Sequence, residues 1–539
     1  MAGSVLAVAS GSVVAWQTAH VAVLYDLGYV LNIAYRISAG DVPYRDFPMP
    51  YPPLTFLVQA LLIRLAGPHY LVQIIYAVGV NAAATGLAYW IVHRVVRDWR
   101  LAAVLCLPLT VLGVYGIFPH PFYDPDATVV MLLAIAAAMS ASSGTGVRRW
   151  LLAGALLPVP ILAKQNTGVA FLGLMLIAIA LTLIRRPRAA LAVGAGALGT
   201  LIVVGIALQL TAGLDSVTRW TVSFASARLA TSPPVLGWLA DPPAVAFAAL
   251  LVASAAWTYR ARRPRQAVLG AIGLTVPFLF VACLALVVPE RQPVLSLWPM
   301  SAIAACVASA AAIAGRGPSL PRLLPFVLTG VATASFLSQG VGGSSYALWP
   351  LLVIAVAQPV SDLLTGAHVR RLLWLALPTA AALACLAGAT YTFGEYRLGF
   401  VDLRGSITRS SFPSLQGLAT PGDYAPELDA ALVAIAASIP ADEPFIAFPG
   451  EDPIYFALAR PPRFPITQFN RTVNPYSPAE LRALRDSYGV RWILVKQGLQ
   501  LHGALSGSLD EPGPLLDGFD RVGSAGPYEV YRAPAAAAR

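Results

Sequence analysis

Long apolar segments separated by short polar ones occupy residues 1–394 of the chain. A helix that crosses a bilayer needs about 20 mostly apolar residues. Thirteen segments approach or reach that length, at residues 4–24, 70–92, 101–118, 127–143, 150–163, 168–184, 189–212, 243–259, 266–288, 295–315, 322–338, 346–364 and 372–391. The pattern therefore predicts a polytopic α-helical membrane protein with about thirteen transmembrane helices.

A further apolar segment, residues 54–66, is shorter and carries a charge at Arg64. Pro52 and Pro53 precede it, and Gly67-Pro68 ends it. Proline before a helix and glycine after it are typical helix boundaries. The segment predicts an interfacial or re-entrant helix rather than a span.

The pattern changes after about residue 395, where the apolar runs become short. Residues 444–449, 490–495 and 528–531 predict β-strands, and residues 426–439, 452–458 and 477–488 predict helices. The last helix begins with Ser477-Pro-Ala-Glu480, which is a capping-box pattern. We expect residues 395–539 to form a soluble extracytoplasmic α/β domain. Residues 1–394 would form the membrane module, with a first outer loop at 25–69 that contains interfacial helices.

Arginine residues cluster in alternate connections between the predicted spans, which indicates an orientation for the chain. The clusters lie at residues 94–100, 148–149, 185–188, 260–265, 316–322 and 370–371. Because cytoplasmic loops are enriched in basic residues, we expect these connections and the N-terminus to be cytoplasmic and the C-terminal domain to lie outside. The net charge of +10 is distributed in this clustered way, which argues against nucleic-acid binding.

Several kinds of chemistry have no motif in the sequence. There is no Walker A loop and no Gly-x-Ser-x-Gly elbow. The four cysteines all lie in apolar segments, which predicts buried thiols rather than disulfides or zinc ligands. No organic cofactor is indicated, so a donor would have to arrive from the lipid or from the outer face.

The first outer loop opens with Tyr25-Asp26, directly after the first predicted span, and continues to Arg45-Asp46 and Tyr51. A carboxylate at a boundary between water and lipid is partly desolvated, which raises its pKa and its basicity. Asp26 is therefore a candidate general base that deprotonates an acceptor hydroxyl. The alternative is that Asp26 only marks the end of a span.

The second outer loop holds Asp124-Pro-Asp126, directly before a predicted span. Two carboxylates at positions i and i+2 would suit a hard divalent cation such as Mg²⁺ or Mn²⁺, or the hydroxyls of a sugar. The alternative is a turn in which Asp126 caps the helix that starts at residue 127.

A third polar feature, Lys164-Gln165-Asn-Thr-Gly168, lies between two short predicted spans. Lys164 is one of only two lysines in the chain, and the other is Lys496. A lysine beside amide and hydroxyl donors at an outer turn would hold a phosphate. Snorkelling of the lysine to the membrane interface is the alternative.

Together these features resemble the GT-C superfamily of membrane glycosyltransferases, and most closely the branch that contains bacterial aminoarabinose transferases and protein O-mannosyltransferases. The matching residues are Asp26, Tyr51-Pro52-Pro53-Leu54, Asp124, Asp126 and Lys164, in the family's order over roughly residues 1–350. The chain departs from the family pattern at Leu27 and Tyr51, where the pattern has glutamate and lysine.

The resemblance implies an inverting transfer of a sugar from a polyprenyl-phosphate donor to an extracytoplasmic glycan, lipid or protein. Asp26 would be the general base, and Lys164 and Arg45 would hold the donor phosphate. The residues that would position the sugar or the acceptor are Asp46, Asp124, Asp126, Gln165 and Tyr51, with Asp124 and Asp126 also as candidate ligands of a divalent cation. The resemblance further implies a multi-pass protein of a bacterial plasma membrane, in contact with membrane lipids.

Two other classes of function are compatible with the composition. A transporter or flippase of lipids or lipid-linked glycans would also have many spans, but the predicted spans hold almost no charged residues, which a translocation path usually needs. A catalytically inactive scaffold would keep the outer domain as a binding module. Sugar transfer that depends on Asp26 separates the enzyme from both alternatives.

Overall fold

The computed structural model describes residues 1–144, 146–226, 240–260, 264–364 and 367–534, with only the backbone described at 258–260, 264–268, 338–344, 367–372 and 504–505. Each of the thirteen segments predicted as spans overlaps a helical segment, although residues 111–118 of the third are not helical. Among the described residues, eight helical segments are long and apolar enough to cross a bilayer by length and composition: Tyr70–Val96, Tyr123–Ser142, Gln165–Thr182, Pro187–Thr211, Leu269–Val287, Pro293–Arg316, Leu320–Leu337 and Leu373–Phe393. The shorter apolar helices are Leu54–Ala66, Trp99–Thr110, Pro242–Trp257 and Trp349–Leu363. The chain is therefore a polytopic α-helical membrane protein.

The α-helices fall into two groups, before and after Phe393. The first group is α1 (Ala2–Thr18), α2 (Leu24–Ser38), α3 (Leu54–Ala66), α4 (Tyr70–Val96), α5 (Trp99–Cys106), α6 (Tyr123–Ser142), α7 (Val147–Leu156), α8 (Gln165–Thr182), α9 (Pro187–Thr211), α10 (Leu214–Thr218), α11 (Pro242–Arg260), α12 (Pro264–Val287), α13 (Leu297–Arg316), α14 (Leu320–Ser344), α15 (Trp349–Leu363) and α16 (Ala367–Phe393). The second group is α17 (Tyr424–Ser438), α18 (Ile454–Ala457), α19 (Pro478–Ser487), α20 (Gly503–Ser506) and α21 (Gly513–Leu516).

The long helix α9 has the surface expected of a helix in lipid. Its apolar window has a mean hydropathy of 2.3, yet only 22% of that window is buried inside the protein. Val203 and Leu210 are 67% and 81% exposed. An apolar surface of this size would be unfavourable in water, whereas hydrocarbon solvates it and leaves the backbone hydrogen bonds inside the helix intact.

The first predicted span ends earlier than the sequence indicated. α1 stops at Thr18, and α2 begins at Leu24 after a short non-helical connection. Apolar residues at positions 27, 30, 31, 34 and 37 follow helical spacing, and all of them are buried. Asp26 therefore lies in the first turn of α2 and not at the end of the first span. The helix α3 has the bounds 54–66 that the flanking prolines and glycine predicted.

All strands among the described residues follow Phe393. They are β1 (Ile407–Arg409), β2 (Ala419–Pro421), β3 (Phe445–Phe448), β4 (Trp492–Lys496), β5 (Asp520–Ala525) and β6 (Tyr528–Arg532). Four of them form a sheet in the order β3-β4-β6-β5, in which β3 and β4 are parallel and the other neighbours are antiparallel. β1 and β2 form a separate antiparallel pair.

The three predicted strands correspond to β3, β4 and β6, and the predicted capping box is present at the start of α19 between Ser477 and Glu480. β5 was not predicted, because its residues are mostly exposed and contain no apolar run. We refer to the residues after Phe393 as the C-terminal region.

α2 belongs to the hydrophobic core of the C-terminal region. Leu24, Leu27 and Leu31 of α2 are fully buried in the same cluster as Leu432 of α17 and Leu494 of β4. Burial of leucine side chains contributes about 1.5–3 kcal/mol each. The helix α2 is thus packed between α3 and α4 on one side and the sheet of the C-terminal region on the other.

Candidate active site

Asp26 is half-buried in the first turn of α2. A carboxylate in this position is favoured by the helix dipole. Removal from water nevertheless raises the pKa of Asp26 well above its ordinary value, and the nearby carboxylate of Asp124 raises it further. Asp26 is therefore a stronger base than a surface aspartate, as general-base chemistry requires.

Asp124 and Lys164 form an ion pair in the interior of the protein. Asp124 lies in the first turn of α6, and Lys164 is the residue before α8. The Lys164 Nζ donates to Asp124 Oδ1 and, at 3.3 Å, to Ser335 Oγ of α14. Among the described residues, Asp124 Oδ2 is buried without a hydrogen-bond partner. Two residues that the sequence assigned to different ligands, the sugar and the phosphate, are therefore direct neighbours.

Asp126 faces different partners from Asp124. Its Oδ2 accepts a hydrogen bond from Thr55 Oγ1 at 2.6 Å, and its Oδ1 accepts one from Tyr76 OH at 2.8 Å. These bonds connect α6 to α3 and α4. The interpretation of Asp126 as a helix cap is wrong, because α6 begins at Tyr123 and both carboxylates lie within its first turn.

The Asp124-Pro-Asp126 pair does not fit a divalent cation as arranged. Residues two apart on a helix point in directions about 200° apart. One Asp124 oxygen is engaged by Lys164, and both Asp126 oxygens accept hydrogen bonds. In the part of the chain that the structure describes, no group of three or more His, Cys, Asp or Glu side chains could hold a metal ion.

Tyr51 lies in an aromatic cluster beside α2 and α6. Its ring stacks on Tyr123 with centroids 4.5 Å apart, and it meets Tyr29 of α2 edge to face at 5.7 Å. The Tyr51 carbonyl accepts a hydrogen bond from Tyr44 OH at 2.7 Å. Tyr51 therefore supplies an aromatic ring face at this position.

Gln165 connects two segments that are distant in the sequence. Its Nε2 donates to the carbonyl of Pro50 at 3.3 Å and to that of Thr221 at 3.2 Å. Thr221 belongs to a π-helical turn at Arg219–Phe224. Gln165 thus fixes the loop before α3 relative to the start of α8.

Arg45 and Asp46 pair with each other on the protein surface. Arg45 donates to both carboxylate oxygens of Asp46, at 2.8 and 2.9 Å, and the side chain of Arg45 is 55% exposed. Asp46 also accepts a hydrogen bond from the Val42 N–H at 2.7 Å. The Arg45 guanidinium and this backbone donor lower the pKa of Asp46. These bonds stay within the loop and do not join it to Asp26, Asp124 or Lys164.

Four residues at or near the site were not predicted from the sequence. Thr55, Tyr76 and Ser335 lie on separate helices and meet the site only through the fold. His120 precedes α6 and is almost fully buried, which lowers the pKa of its imidazole. A polar residue in the middle of an apolar run was the available hint, and Ser335 is an example.

Comparison with known proteins identifies the fold. Neither a family model nor a curated protein sequence matches the chain. The oligosaccharyltransferase of Archaeoglobus fulgidus, solved in complex with zinc and sulfate, matches with a TM-score of 0.52 at 12% identity over 92% of this chain and 68% of that one. The same oligosaccharyltransferase tethered with an acceptor peptide matches with a TM-score of 0.50 at 13% identity, over 92% and 69% of the two chains.

ArnT of Cupriavidus metallidurans, solved with bound undecaprenyl phosphate, matches with a TM-score of 0.48 at 16% identity, over 98% of this chain and 97% of that one. The fold assignment rests on the archaeal oligosaccharyltransferase. The likeness shows that the chain shares the fold of this oligosaccharyltransferase, which agrees with the fold that the resemblance implied.

Proposed function

We propose that the chain is an inverting glycosyltransferase that moves a sugar from a polyprenyl-phosphate donor to an extracytoplasmic glycan, lipid or protein. The observation that carries the proposal is the half-buried Asp26 carboxyl, whose pKa is raised by burial and by the charge of Asp124, together with the buried Asp124–Lys164 pair. The fold it shares with an oligosaccharyltransferase supports the same class of reaction.

In the proposed reaction the acceptor hydroxyl attacks the anomeric carbon of the donor sugar. Asp26 takes the hydroxyl proton as the new C–O bond forms, and the bond from that carbon to the phosphate oxygen breaks. The polyprenyl phosphate leaves with the electron pair, and the configuration at the anomeric carbon inverts. General-base assistance of this kind contributes about 10²–10⁴ in rate.

Lys164 is the proposed contact of the donor phosphate. A lysine side chain offers three N–H donors, and Asp124 and Ser335 are the described partners of two of them. A third donor directed at the phosphate would stabilise the charge that develops on the leaving group. One such donor at a developing oxyanion is worth about 10²–10³ in rate.

The remaining predicted residues are proposed to act around this centre. Arg45, on the exposed loop with Asp46, would meet the donor phosphate at the entrance of the site. Tyr51, in the aromatic cluster, would pack against the apolar face of a sugar ring. Gln165 and Asp126 would hold the walls of the site through their contacts with the neighbouring segments.

The proposed reaction takes place on the side of the membrane away from the arginine-rich connections. Asp26 lies on the helix that packs against the C-terminal region, so both lie on the same side of the helical bundle. With a cytoplasmic N-terminus this side is extracytoplasmic, and the protein would be a multi-pass component of a bacterial plasma membrane.

The test is sugar transfer by the purified full-length protein from a panel of radiolabelled polyprenyl-phosphate sugars. Asp26→Asn should lower the transfer rate about 10³-fold while donor binding remains. Asp423→Asn, an exposed aspartate of the C-terminal region, is the matched control and should keep the native rate. Donor binding without cleavage of any donor would overturn the proposal and favour the transporter or the scaffold.

A further inference from the structure

One side of α2 is attached to the C-terminal region at regular intervals. Leu24, Gly28, Asn32 and Arg36 follow each other at a spacing of four residues, so they form one stripe along the helix. The Leu24 N–H donates to Gln500 Oε1 at 2.9 Å. The Arg36 Nη1 donates to the carbonyl of Phe464 at 2.9 Å. The stripe is thus bound at both ends.

The middle of the stripe contacts the segment Glu451-Asp452. Asn32 donates from Nδ2 to the Asp452 carbonyl at 3.0 Å, and its Oδ1 accepts from the Phe456 N–H at 3.2 Å. Gly28 lies so close to this segment that a Cβ atom would overlap the Glu451 carbonyl oxygen. Only glycine permits this approach of two backbones.

A buried charge cluster fixes the position of that segment. Lys496 Nζ donates to Glu451 Oε2 at 2.5 Å and to Asp452 Oδ1 at 3.0 Å, and Tyr528 OH donates to Asp452 Oδ2 at 2.6 Å. Glu451 Oε1 accepts from the Leu501 N–H at 3.0 Å. Every carboxylate oxygen of the cluster therefore has a partner, as buried charges require.

The first turn of α2 has a further contact of its own. Gln468 of the C-terminal region donates from Nε2 to the Tyr25 carbonyl at 3.0 Å, one residue before Asp26. Asp26 is two residues from both Leu24 and Gly28, so its side chain points about 160° away from those two residues. The stripe therefore faces the C-terminal region, while Asp26 lies on another side of the helix, where the Asp124 charge influences it.

We propose that the C-terminal region positions the general base by holding α2 in place, and thereby sets how Asp26 stands relative to Asp124. This inference rests on the proposed function and adds positioning residues to it, namely Gly28, Asn32, Gln468 and Gln500. None of them needs to touch the substrate. They determine where the Asp26 carboxylate stands and how much water reaches it.

Several titratable groups surround Asp26 and enter any pH measurement. Asp124 faces it from α6, with Lys164 paired behind, and Tyr346 faces it from the turn before α15. On α2 itself Tyr25 is adjacent, and Asp510 of the C-terminal region lies beside that phenol. A change in the position of α2 moves Asp26 relative to all of them.

The first test does not depend on transfer activity. In the full-length protein, the infrared band of protonated Asp26 is assigned by its loss in Asp26→Asn and is titrated with pH. Gln468→Ala loosens the first turn and admits water, so the midpoint should fall by about one pH unit. Gln416→Ala, at an exposed glutamine of the same region, should leave the midpoint unchanged.

The second test measures transfer by Gly28→Ala. The added methyl group displaces α2 from Glu451, and a misplacement of about 1 Å costs about 10²-fold in rate. The loss should appear in kcat, with the donor KM changed less than the rate. Gly79→Ala is the matched control, because a Cβ at this helical glycine meets no atom within 4 Å.

An unchanged Asp26 titration in Gln468→Ala would overturn the positioning role, even if the variant were less active. If the native chain transfers no sugar, the proposed function fails, but the titration still decides the role of the C-terminal region. If Gly28→Ala does not fold, Gln468→Ala carries the test, because it removes one hydrogen bond and adds no bulk.

Discussion

The two lysines of the chain occupy two buried sites that differ in whether every carboxylate oxygen has a hydrogen-bond partner. Lys496 and Glu451 are 1% and 0% exposed at their side chains, and every carboxylate oxygen around Lys496 has a partner. Lys164 and Asp124 are similarly buried, at 7% and 3%, but Asp124 Oδ2 has no partner among the described residues. Burial alone therefore does not distinguish a structural ion pair from one in a reactive site.

The two ion pairs differ in the polar atoms that remain available to a ligand. Burial alone would lower the pKa of Lys496, but the Asp452 and Glu451 carboxylates hold it above its ordinary value. A buried charge cluster in which every polar atom has a partner makes the surrounding structure rigid and fixes one conformation. The Lys164 pair stands beside a second carboxylate, Asp26, whose pKa is raised, and such unsaturated groups are typical of functional sites.

The largest expected effect is on stability, at the Lys496 site. Lys496→Met leaves Glu451 and Asp452 buried without their cation, which should cost about 3–5 kcal/mol of folding free energy. Thermal unfolding of the purified protein measures the loss. Arg521→Met breaks an exposed pair with Glu529 and should cost less than about 1 kcal/mol. Equal unfolding temperatures for both variants would contradict the inference that the Lys496 cluster stabilises the fold.

At the Lys164–Asp124 site we expect a smaller effect on stability and a large effect on the transfer rate. Lys164→Met combined with Asp124→Asn removes both charges, so no unpaired ion remains in the interior. Transfer should nevertheless fall about 10²–10³-fold, because the donor phosphate loses its cation. Measurements of the unfolding temperature and of the transfer rate on the same sample separate the two effects. If the double variant kept the native transfer rate, Lys164 would not be the phosphate contact, and Arg45 would be the first alternative candidate.

The smallest expected effect is a shift of the pH profile in Asp124→Asn. A general base must be deprotonated, so the transfer rate rises with pH through the pKa of Asp26. Removing the Asp124 charge lowers that pKa, and the acidic limb should move to lower pH by up to about one unit. Asp126→Asn is the matched control, because Asp126 lies in the same helix turn but forms its hydrogen bonds with Thr55 and Tyr76. The acidic limb of the pH profile should stay in place in this variant.

The sequence predicted the elements well and the contacts between them poorly. The thirteen apolar segments, the helix 54–66 and three strands were evident because burial in lipid or in a core imposes long apolar runs or short alternating ones. α2 as a helix packed in the protein interior was not evident, because Asn32 and Arg36 interrupt its apolar pattern. Those two polar residues are buried because partners from the C-terminal region satisfy them.

The candidate site shows the same division. Asp26, Asp124 and Lys164 were identified as candidates from residue type and order; the structure pairs Lys164 with Asp124, and the Asp124 charge influences Asp26. The ion pair between Lys164 and Asp124 joins residues 40 positions apart, and the bond to Ser335 spans 171 positions. One sequence contains no signal for such pairings. The predicted Asp124–Asp126 chelate depended on a loop conformation, and the early start of α6 removes it.

The attachment of α2 to the C-terminal region has a consequence for biogenesis. Asn32 and its partner Asp452 are 420 positions apart, and Leu24 and Gln500 are 476 apart. Chains fold from the N-terminus during synthesis, at about 5–20 residues per second. The helix that carries Asp26 therefore emerges early but reaches its final packing only after nearly the whole chain has been translated. A nascent or truncated chain would lack an ordered α2.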